Sequence, residues 1–91
     1  MPAIRLVISG RVQGVGFRAF VERQARKRGM RGWVRNRRDG TVEALLIGDE
    51  RALAEMEAAC RRGPSLAMVT GLERSDAADD GSEGFAARPT E

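Results

Sequence analysis

The first thirty residues change from a strand pattern to a helix pattern. Between Ala3 and Ser9 every second residue is strongly apolar, which predicts a first strand with Ile4, Leu6 and Ile8 on its buried face. Apolar residues then recur at the spacing of one helix face, at Phe17, Phe20, Val21 and Ala25. Gly29 is typical of a helix C-terminus. The stretch between them, GRVQGVGFR, therefore predicts a glycine-rich turn that joins a strand to a helix.

The middle of the chain predicts a hairpin. Residues favourable to strands lie on both sides of Asp39-Gly40, a dipeptide suited to a tight turn with positive φ. We expect two antiparallel strands, from about Arg31 to Arg37 and from Thr41 to Ile47.

The second half predicts a helix, a strand and a short terminal piece. Asp49 can cap a helix that ends at Gly63-Pro64 and carries an apolar stripe of Leu53, Met56 and Cys60. A strand from Ala67 to Arg74 follows, then the acidic loop DAADDGSEG and a short piece from Phe85 to Arg88.

The order β-α-β-β-α-β, with a small extra strand, is that of a ferredoxin-like α+β fold. Such a fold packs two helices on one face of an antiparallel sheet. We expect residues 1–91 to form one domain, with the glycine turn and the hairpin's first strand brought together at one end of the sheet.

Composition limits the class of protein. The 91 residues are 42% hydrophobic, enough for one modest core. The longest apolar run, Ala44 to Ile47, is far too short to span a membrane, and the N-terminus lacks the apolar segment of a secretory signal. We therefore expect a cytoplasmic protein with no membrane partner.

The residue inventory excludes several kinds of site. With one cysteine and no histidine, the chain cannot form an internal disulfide, a Cys/His zinc site, or a Ser-His or Cys-His catalytic pair. Cys60 lies on a helical apolar stripe, so we interpret it as a small buried hydrophobic residue.

The basic residues are concentrated in the first half. Residues 1 to 40 contain eleven arginines and lysines and two acidic residues. Residues 41 to 91 contain five basic and eleven acidic residues. A basic half indicates an anionic ligand, either nucleic acid or a small phosphate. A merely solvated helix face remains the alternative for Arg23, Arg26, Lys27 and Arg28.

The glycine-rich turn is a candidate phosphate site. Its backbone N–H groups could converge on an anion at the positive end of the following helix, the donors being those of Gln13, Gly14, Val15, Gly16, Phe17 and Arg18. The Arg18 side chain could hold the same anion through two parallel hydrogen bonds. Alternatively, the glycines only permit a tight turn. GVGFRA has the form of a dinucleotide-binding fingerprint, but the acidic residue that such a site requires further along the chain is absent. The lysine of a Walker-type phosphate-binding loop is also absent.

These motifs together resemble the acylphosphatase family. The resemblance rests on GRVQGVGFR, on GWVRN and DGTVE after a helix, and on the tail GFAARPT, and it covers essentially the whole chain. It implies hydrolysis of acyl phosphates without a cofactor, a phosphate-binding loop, Arg18 as substrate ligand and Asn36 as the residue that positions the attacking water. The small pair Ala86-Ala87, Gly71 and the charged pair Arg37-Arg38 depart from the expected pattern.

The chemistry of the residues agrees with this resemblance. An acyl phosphate expels a carboxylate, which needs no proton from an acid catalyst, so histidine is dispensable. We expect catalysis without metal, no carboxylate near the site, an Arg18 side chain pointing at solvent-filled space, and competitive inhibition by the product, inorganic phosphate.

Two other functions are considered. An RNA-binding module on this fold would need exposed aromatic residues on its central strands, and the first and third strands have none. The other is a non-catalytic sensor of phosphate or a metabolite, or a domain resembling the one at the start of carbamoyl-transferring hydrogenase maturation proteins. A free-standing chain of this length argues against the latter. We expect a monomer that binds no nucleic acid.

Overall fold

Two helices pack on one face of a five-stranded sheet in the computed structural model, which describes residues 1–91. The strands are β1 (Ala3–Arg11), β2 (Arg31–Asn36), β3 (Val42–Ile47), β4 (Met68–Ala77) and β5 (Phe85–Arg88). The helices are α1 (Phe17–Lys27) and α2 (Glu50–Arg62). This confirms the predicted element order and the ferredoxin-like fold. Neither helix is long and apolar enough to cross a membrane.

The four strands of the predicted antiparallel sheet are antiparallel, and the short extra strand β5 makes the sheet mixed because it runs parallel to its neighbour. The strand order is β4-β1-β3-β2-β5, and every neighbouring pair is antiparallel except β2 and β5. The chain leaves β4 at the end of the sheet where Ala77 pairs with Ala3. It then enters β5 where Phe85 pairs with Gly32, near the start of β2. Because β5 begins at the same end as β2, the two strands run in the same direction.

Strand β4 is longer than predicted. The acidic stretch was expected to form a loop, but Asp76 and Ala77 continue the strand, where they pair with Ile4 and Ala3 of β1. Because strand β1 extends to Ala3 at this end, β4 gains further backbone hydrogen bonds when it continues to Ala77 beside β1. These tertiary hydrogen bonds outweigh the low strand propensity of aspartate.

The core lies between the sheet and the helices. Its largest fully buried side chains include the three alternating residues of β1, the helix residues Phe17 and Val21, and Leu53 and Met56 of α2. Cys60 is fully buried among them, and this burial raises the pKa of its thiol to about 12. The prediction of a small buried hydrophobic residue is therefore confirmed, and the thiol is not poised to ionise.

Local sequence signals set the element ends. The Asp49 side chain accepts a 2.8 Å hydrogen bond from the Ala52 N–H, so it caps α2 as predicted. In the hairpin, Asp39 Oδ1 accepts hydrogen bonds from the Thr41 N–H and hydroxyl, which fixes the turn.

The strand register brings the two predicted functional segments together. Ile8, near the end of β1, pairs with Val42 of β3, and Val42 pairs on its other side with Asn36 at the end of β2. The glycine-rich turn that follows β1 and the residue Asn36 therefore lie at the same end of the sheet, as predicted.

Candidate active site

A pocket of about 330 Å³ opens at this end of the sheet. It lies between the glycine-rich loop, the first turns of α1, the end of β2 and the end of β5, and its lining residues are Val12, Gly14, Gly16, Phe17, Arg18, Ala19, Glu22, Asn36 and Ala87. Five of the predicted site residues are in this lining: Gly14, Gly16, Phe17, Arg18 and Asn36. Gln13 and Val15 are in the loop but do not line the pocket.

The loop backbone has the geometry of an anion-binding nest. Gly14 and Gly16 have φ values of 72° and 78°, while Val15 between them does not have a positive φ. Alternation of this kind turns successive N–H groups toward one side. The N–H groups of residues 13 to 16 donate to no backbone acceptor, and those of Phe17 to Ala19 belong to the first turn of α1, where no intrahelical acceptor exists. The loop therefore presents a row of available donors.

The Arg18 side chain lines the open pocket and also makes a hydrogen bond to β5 that the sequence did not reveal. Its Nη1 donates a 3.0 Å hydrogen bond to the carbonyl oxygen of Arg88. A guanidinium carries five N–H donors, so one bond to Arg88 leaves the others available to a ligand. Strand β5 thus fixes the position of Arg18 at the rim of the pocket.

The Asn36 carboxamide makes no hydrogen bond to the rest of the chain, and its Oδ1 is buried without a partner. A buried acceptor without a partner costs about 1–3 kcal/mol. The backbone of Asn36 is fixed by a hydrogen bond, because its carbonyl oxygen accepts from the Glu91 N–H at 3.0 Å. The side chain is therefore positioned by the strand and still lacks a donor.

Gln13 has a second contact that the sequence did not reveal. Its side-chain Nε2 donates to the carbonyl oxygens of Arg37 at 2.7 Å and Thr41 at 2.9 Å. These bonds connect the loop to the base of the β2–β3 hairpin, across a separation of more than twenty residues. No local sequence pattern predicts such a bond, because Gln13 was expected to contribute only its backbone N–H to the glycine-rich turn.

A carboxylate lies in the pocket, which contradicts the expectation of none. Glu22 is four residues after Arg18 on α1 and is in the pocket lining. Its Oε2 lies 3.2 Å from Nη2 of Arg26. The i, i+4 spacing from Arg18 could have identified this residue, since such residues share a helix face.

A buried carboxylate on the opposite face of the sheet holds the residues on either side of Asn36. Glu43 Oε1 is 2.8 Å from Arg35 Nε and 2.9 Å from Arg37 Nη1, and Oε2 pairs with Arg5. Burial alone would raise the pKa of the Glu43 carboxyl, but the hydrogen bonds from the three arginines outweigh it, and the pKa lies below its ordinary value. This arginine cluster stabilises the end of β2.

The helix arginines have structural partners. Arg26 Nε and Nη2 lie 3.3 and 3.1 Å from the Phe85 carbonyl oxygen, and Arg28 pairs with Glu55 of α2. Arg26 and Arg28 therefore connect α1 to β5 and α2, which neither the anion-binding nor the solvated-face interpretation predicted. No group of three or more His, Cys, Asp and Glu side chains is placed to hold a metal ion.

Comparison with known proteins identifies close relatives along the whole chain. The family model described as Acylphosphatase matches residues 4–87. The chain is similar to an acylphosphatase of Acidiphilium cryptum, with 51% identity over 90 residues and 99% of both chains covered. It is 58% identical over 76 residues to an acylphosphatase of Rhodopseudomonas palustris, covering 84% of this chain and 77% of that one. Its fold is similar to the crystal structure of acylphosphatase from Bacillus subtilis, with a TM-score of 0.93, 40% identity, and 97% and 99% of the two chains covered.

Proposed function

This chain belongs to the acylphosphatase family, whose general activity is the hydrolysis of acyl phosphates, and we propose that the pocket described above is where it performs that reaction. The observation that carries the proposal is the convergence of three elements with unused hydrogen-bonding capacity. They are the N–H groups of the loop, the Arg18 guanidinium and the unpaired Asn36 Oδ1.

The phosphoryl group binds in the loop. Backbone N–H groups from Gln13 to Arg18, together with the positive end of α1, supply fixed donors for its oxygens. Arg18 holds two of these oxygens through parallel hydrogen bonds, in a geometry that its bond to Arg88 leaves open. This arrangement stabilises the charge on the equatorial oxygens as the transition state forms.

Asn36 positions the nucleophile. Its Oδ1 accepts a hydrogen bond from a water molecule, whose oxygen then attacks phosphorus in line with the acyl oxygen. The bond between phosphorus and the acyl oxygen breaks, and its electron pair leaves with the carboxylate. The water proton passes to solvent or to the phosphate product. The unpaired state of Oδ1 supports this role, because a bound water supplies the donor that the chain does not.

The leaving group removes the need for acid catalysis. A carboxylate is the conjugate base of an acid with a pKa near 4, so it departs without a proton at neutral pH. A loose phosphoryl transition state also needs little help from a base. Phosphate monoesters expel a far more basic alkoxide, so we expect little or no activity on them.

We further propose that the protein acts as a monomer in the cytoplasm and has no nucleic-acid partner. The exposed face of the sheet carries one aromatic residue, Trp33, and the guanidinium carbons of Arg35 and Arg88 lie 4.7 and 4.9 Å from its ring centroid. These cations compete with a base for the ring surface that stacking would require.

The decisive experiment measures phosphate release from acetyl phosphate by the purified protein, with and without a chelator. We expect turnover that the chelator leaves unchanged and that inorganic phosphate inhibits competitively. Loss of turnover on chelation, with recovery on addition of magnesium, would refute the metal-free mechanism. Inhibition by phosphate that leaves KM unchanged would place the phosphate outside the substrate site.

A further inference from the structure

We propose that Glu22 determines which acyl groups this site accepts, by disfavouring acyl chains that carry a negative charge. The inference rests on the proposed function, because it assumes that the phosphoryl group lies between the loop and Arg18. The acyl group must then extend from there into the rest of the same pocket, whose lining includes Glu22, Ala19 and Ala87.

The spacing on α1 places Glu22 within reach of a short acyl chain. Four helical residues advance about 6 Å along the axis, so Glu22 lies one turn beyond Arg18 on the same face. A four-carbon acyl group is of comparable length. Because Ala19 and Ala87 are small, they leave space for it between α1 and β5.

The charge of Glu22 is only partly compensated. Its ion pair is with Arg26 and not with Arg18, at 3.2 Å through Oε2. Arg26 does not interact with Glu22 alone, because the same Nη2 also donates to the Phe85 carbonyl oxygen at 3.1 Å. The Nε of Arg26 donates to that oxygen at 3.3 Å. The Arg26 side chain is 64% exposed, whereas that of Glu22 is 27% exposed. Solvent therefore screens the arginine more than the carboxylate, and a net negative potential remains in the acyl end of the pocket.

The pocket therefore has a positive end at Arg18 and a negative end at Glu22. Arg18 and the loop attract the phosphoryl end of the substrate, and Glu22 repels a second anion at the far end. Neutral acyl groups meet no such repulsion, and an acyl group with a hydroxyl or amine donor can hydrogen-bond to Glu22. We infer that the substrate class is acyl phosphates with a neutral or cationic short chain.

The test compares butyryl phosphate with succinyl phosphate, which have the same number of acyl carbons but differ by a terminal carboxylate. The kcat/KM for butyryl phosphate is divided by the kcat/KM for succinyl phosphate. This ratio is measured for the wild-type protein, for Glu22→Gln and for the control Glu73→Gln. Glu73 is exposed, forms no ion pair and does not line the pocket, so its substitution removes one negative charge elsewhere. Comparing ratios between variants cancels the intrinsic difference in reactivity between the two substrates.

We expect the ratio of butyryl to succinyl phosphate to fall about five- to tenfold in Glu22→Gln, because kcat/KM for succinyl phosphate rises. A change of this size corresponds to the loss of one charge repulsion in a partly screened site. The ratio should be unchanged in Glu73→Gln. An unchanged ratio in Glu22→Gln, with both substrates turned over, would overturn the inference and leave the proposed function intact.

Binding of two phosphonates separates the inference from the proposed function. Propylphosphonate and 2-carboxyethylphosphonate differ by the same carboxylate and need no turnover to be measured by calorimetry. If the wild-type protein hydrolysed neither acyl phosphate, the proposed function would fail. The preference for propylphosphonate, and its loss in Glu22→Gln, would still support the charge selection, and equal binding in both proteins would overturn it.

Discussion

The side-chain amide of Gln13 donates a 2.7 Å hydrogen bond to the carbonyl oxygen of Arg37, the residue that follows Asn36. A second bond from the same nitrogen reaches the carbonyl oxygen of Thr41 at 2.9 Å, and the Arg37 N–H donates to that oxygen as well. One side chain therefore joins the proposed phosphate loop to the strand end that carries the proposed water-positioning residue.

Replacement of Gln13 by leucine should lower kcat about 10- to 100-fold, because the loop and Asn36 lose their fixed separation and small misplacements are costly in phosphoryl transfer. The two carbonyl oxygens keep their backbone donors, the N–H groups of Gly40 and Arg37, so the loss of stability should be only about 1–2 kcal/mol. Steady-state kinetics beside denaturant unfolding provides the measurement. Gln24→Leu is the matched control on α1, and equal kcat values in the two variants would refute the positioning role.

Replacement of Asn36 by alanine should lower kcat about 100-fold or more while the inhibition constant of inorganic phosphate changes little, because the amide contacts water and not the anion. The substitution removes a buried acceptor that has no partner, so thermal stability should stay the same or rise. Kinetics, phosphate inhibition and thermal unfolding are measured together. A fall in stability with kcat preserved would make Asn36 a structural residue of the hairpin.

Arg18→Lys should be nearly as damaging as Arg18→Ala. Lysine preserves the charge but replaces a planar fork with one rotatable ammonium, so the two phosphoryl oxygens lose their fixed geometry. We expect kcat/KM on acetyl phosphate to fall about 1000-fold or more in both variants, by analogy with arginines that stabilise phosphoryl transfer elsewhere.

Both Arg18 variants also lose the hydrogen bond to the Arg88 carbonyl oxygen, which is exposed, so the stability cost should be about 1 kcal/mol or less. Thermal unfolding checks this. Substantial activity in Arg18→Lys would show that charge alone suffices, and unfolding of both variants would show that Arg18 is primarily a link to β5.

The buried carboxylate Glu43 should make stability depend on pH in a specific range. Because its pKa is lowered on folding, it stabilises the folded protein above the unfolded pKa near 4.5, and this contribution is lost as the pH falls through the lower folded value. Glu43→Gln should therefore be destabilised at pH 7, by about 1–3 kcal/mol, since Arg5 and Arg37 lose their carboxylate partner and Arg35 keeps only its ion pair with Glu91.

Denaturant unfolding of the wild-type protein and Glu43→Gln at several pH values tests this linkage. The difference in unfolding free energy should be largest at neutral pH and should shrink below pH 4.5. Other carboxyls with lowered pKa, including Asp39, Glu57 and Asp79, contribute to acid unfolding in both proteins, so only the difference reports on Glu43. A difference that stays constant with pH would contradict the prediction.

Local signals predicted most of the fold, and together with the family resemblance they predicted five of the nine residues that line the pocket. The alternation in β1, the Asp39-Gly40 turn and the Asp49 cap each act within a few residues, so the sequence contains all the information they need. The same holds for the glycine-rich loop between β1 and α1, because positive φ at Gly14 and Gly16 is a local property.

What the sequence did not reveal depends on contacts between distant residues. The direction of β5 follows from where the chain crosses the sheet, and the bonds of Gln13 and Arg18 reach acceptors on other strands. The carboxylate of Glu22 was overlooked although its spacing from Arg18 was visible, because its position in the pocket requires β5 to form the opposite wall.

The dependence of the pocket on β5 has a consequence for the synthesis of the protein. Arg18 and its acceptor on Arg88 are 70 positions apart, and the interior strand β1 pairs with β4, which begins at Met68. Contacts this distant in sequence form slowly, since the intervening chain must be closed into loops before they contribute. A nascent chain emerging from the ribosome would present the glycine-rich loop early, yet it would lack the strand that fixes Arg18. Catalytic competence should therefore arise only after Arg88 has left the exit tunnel, as one of the last events of folding.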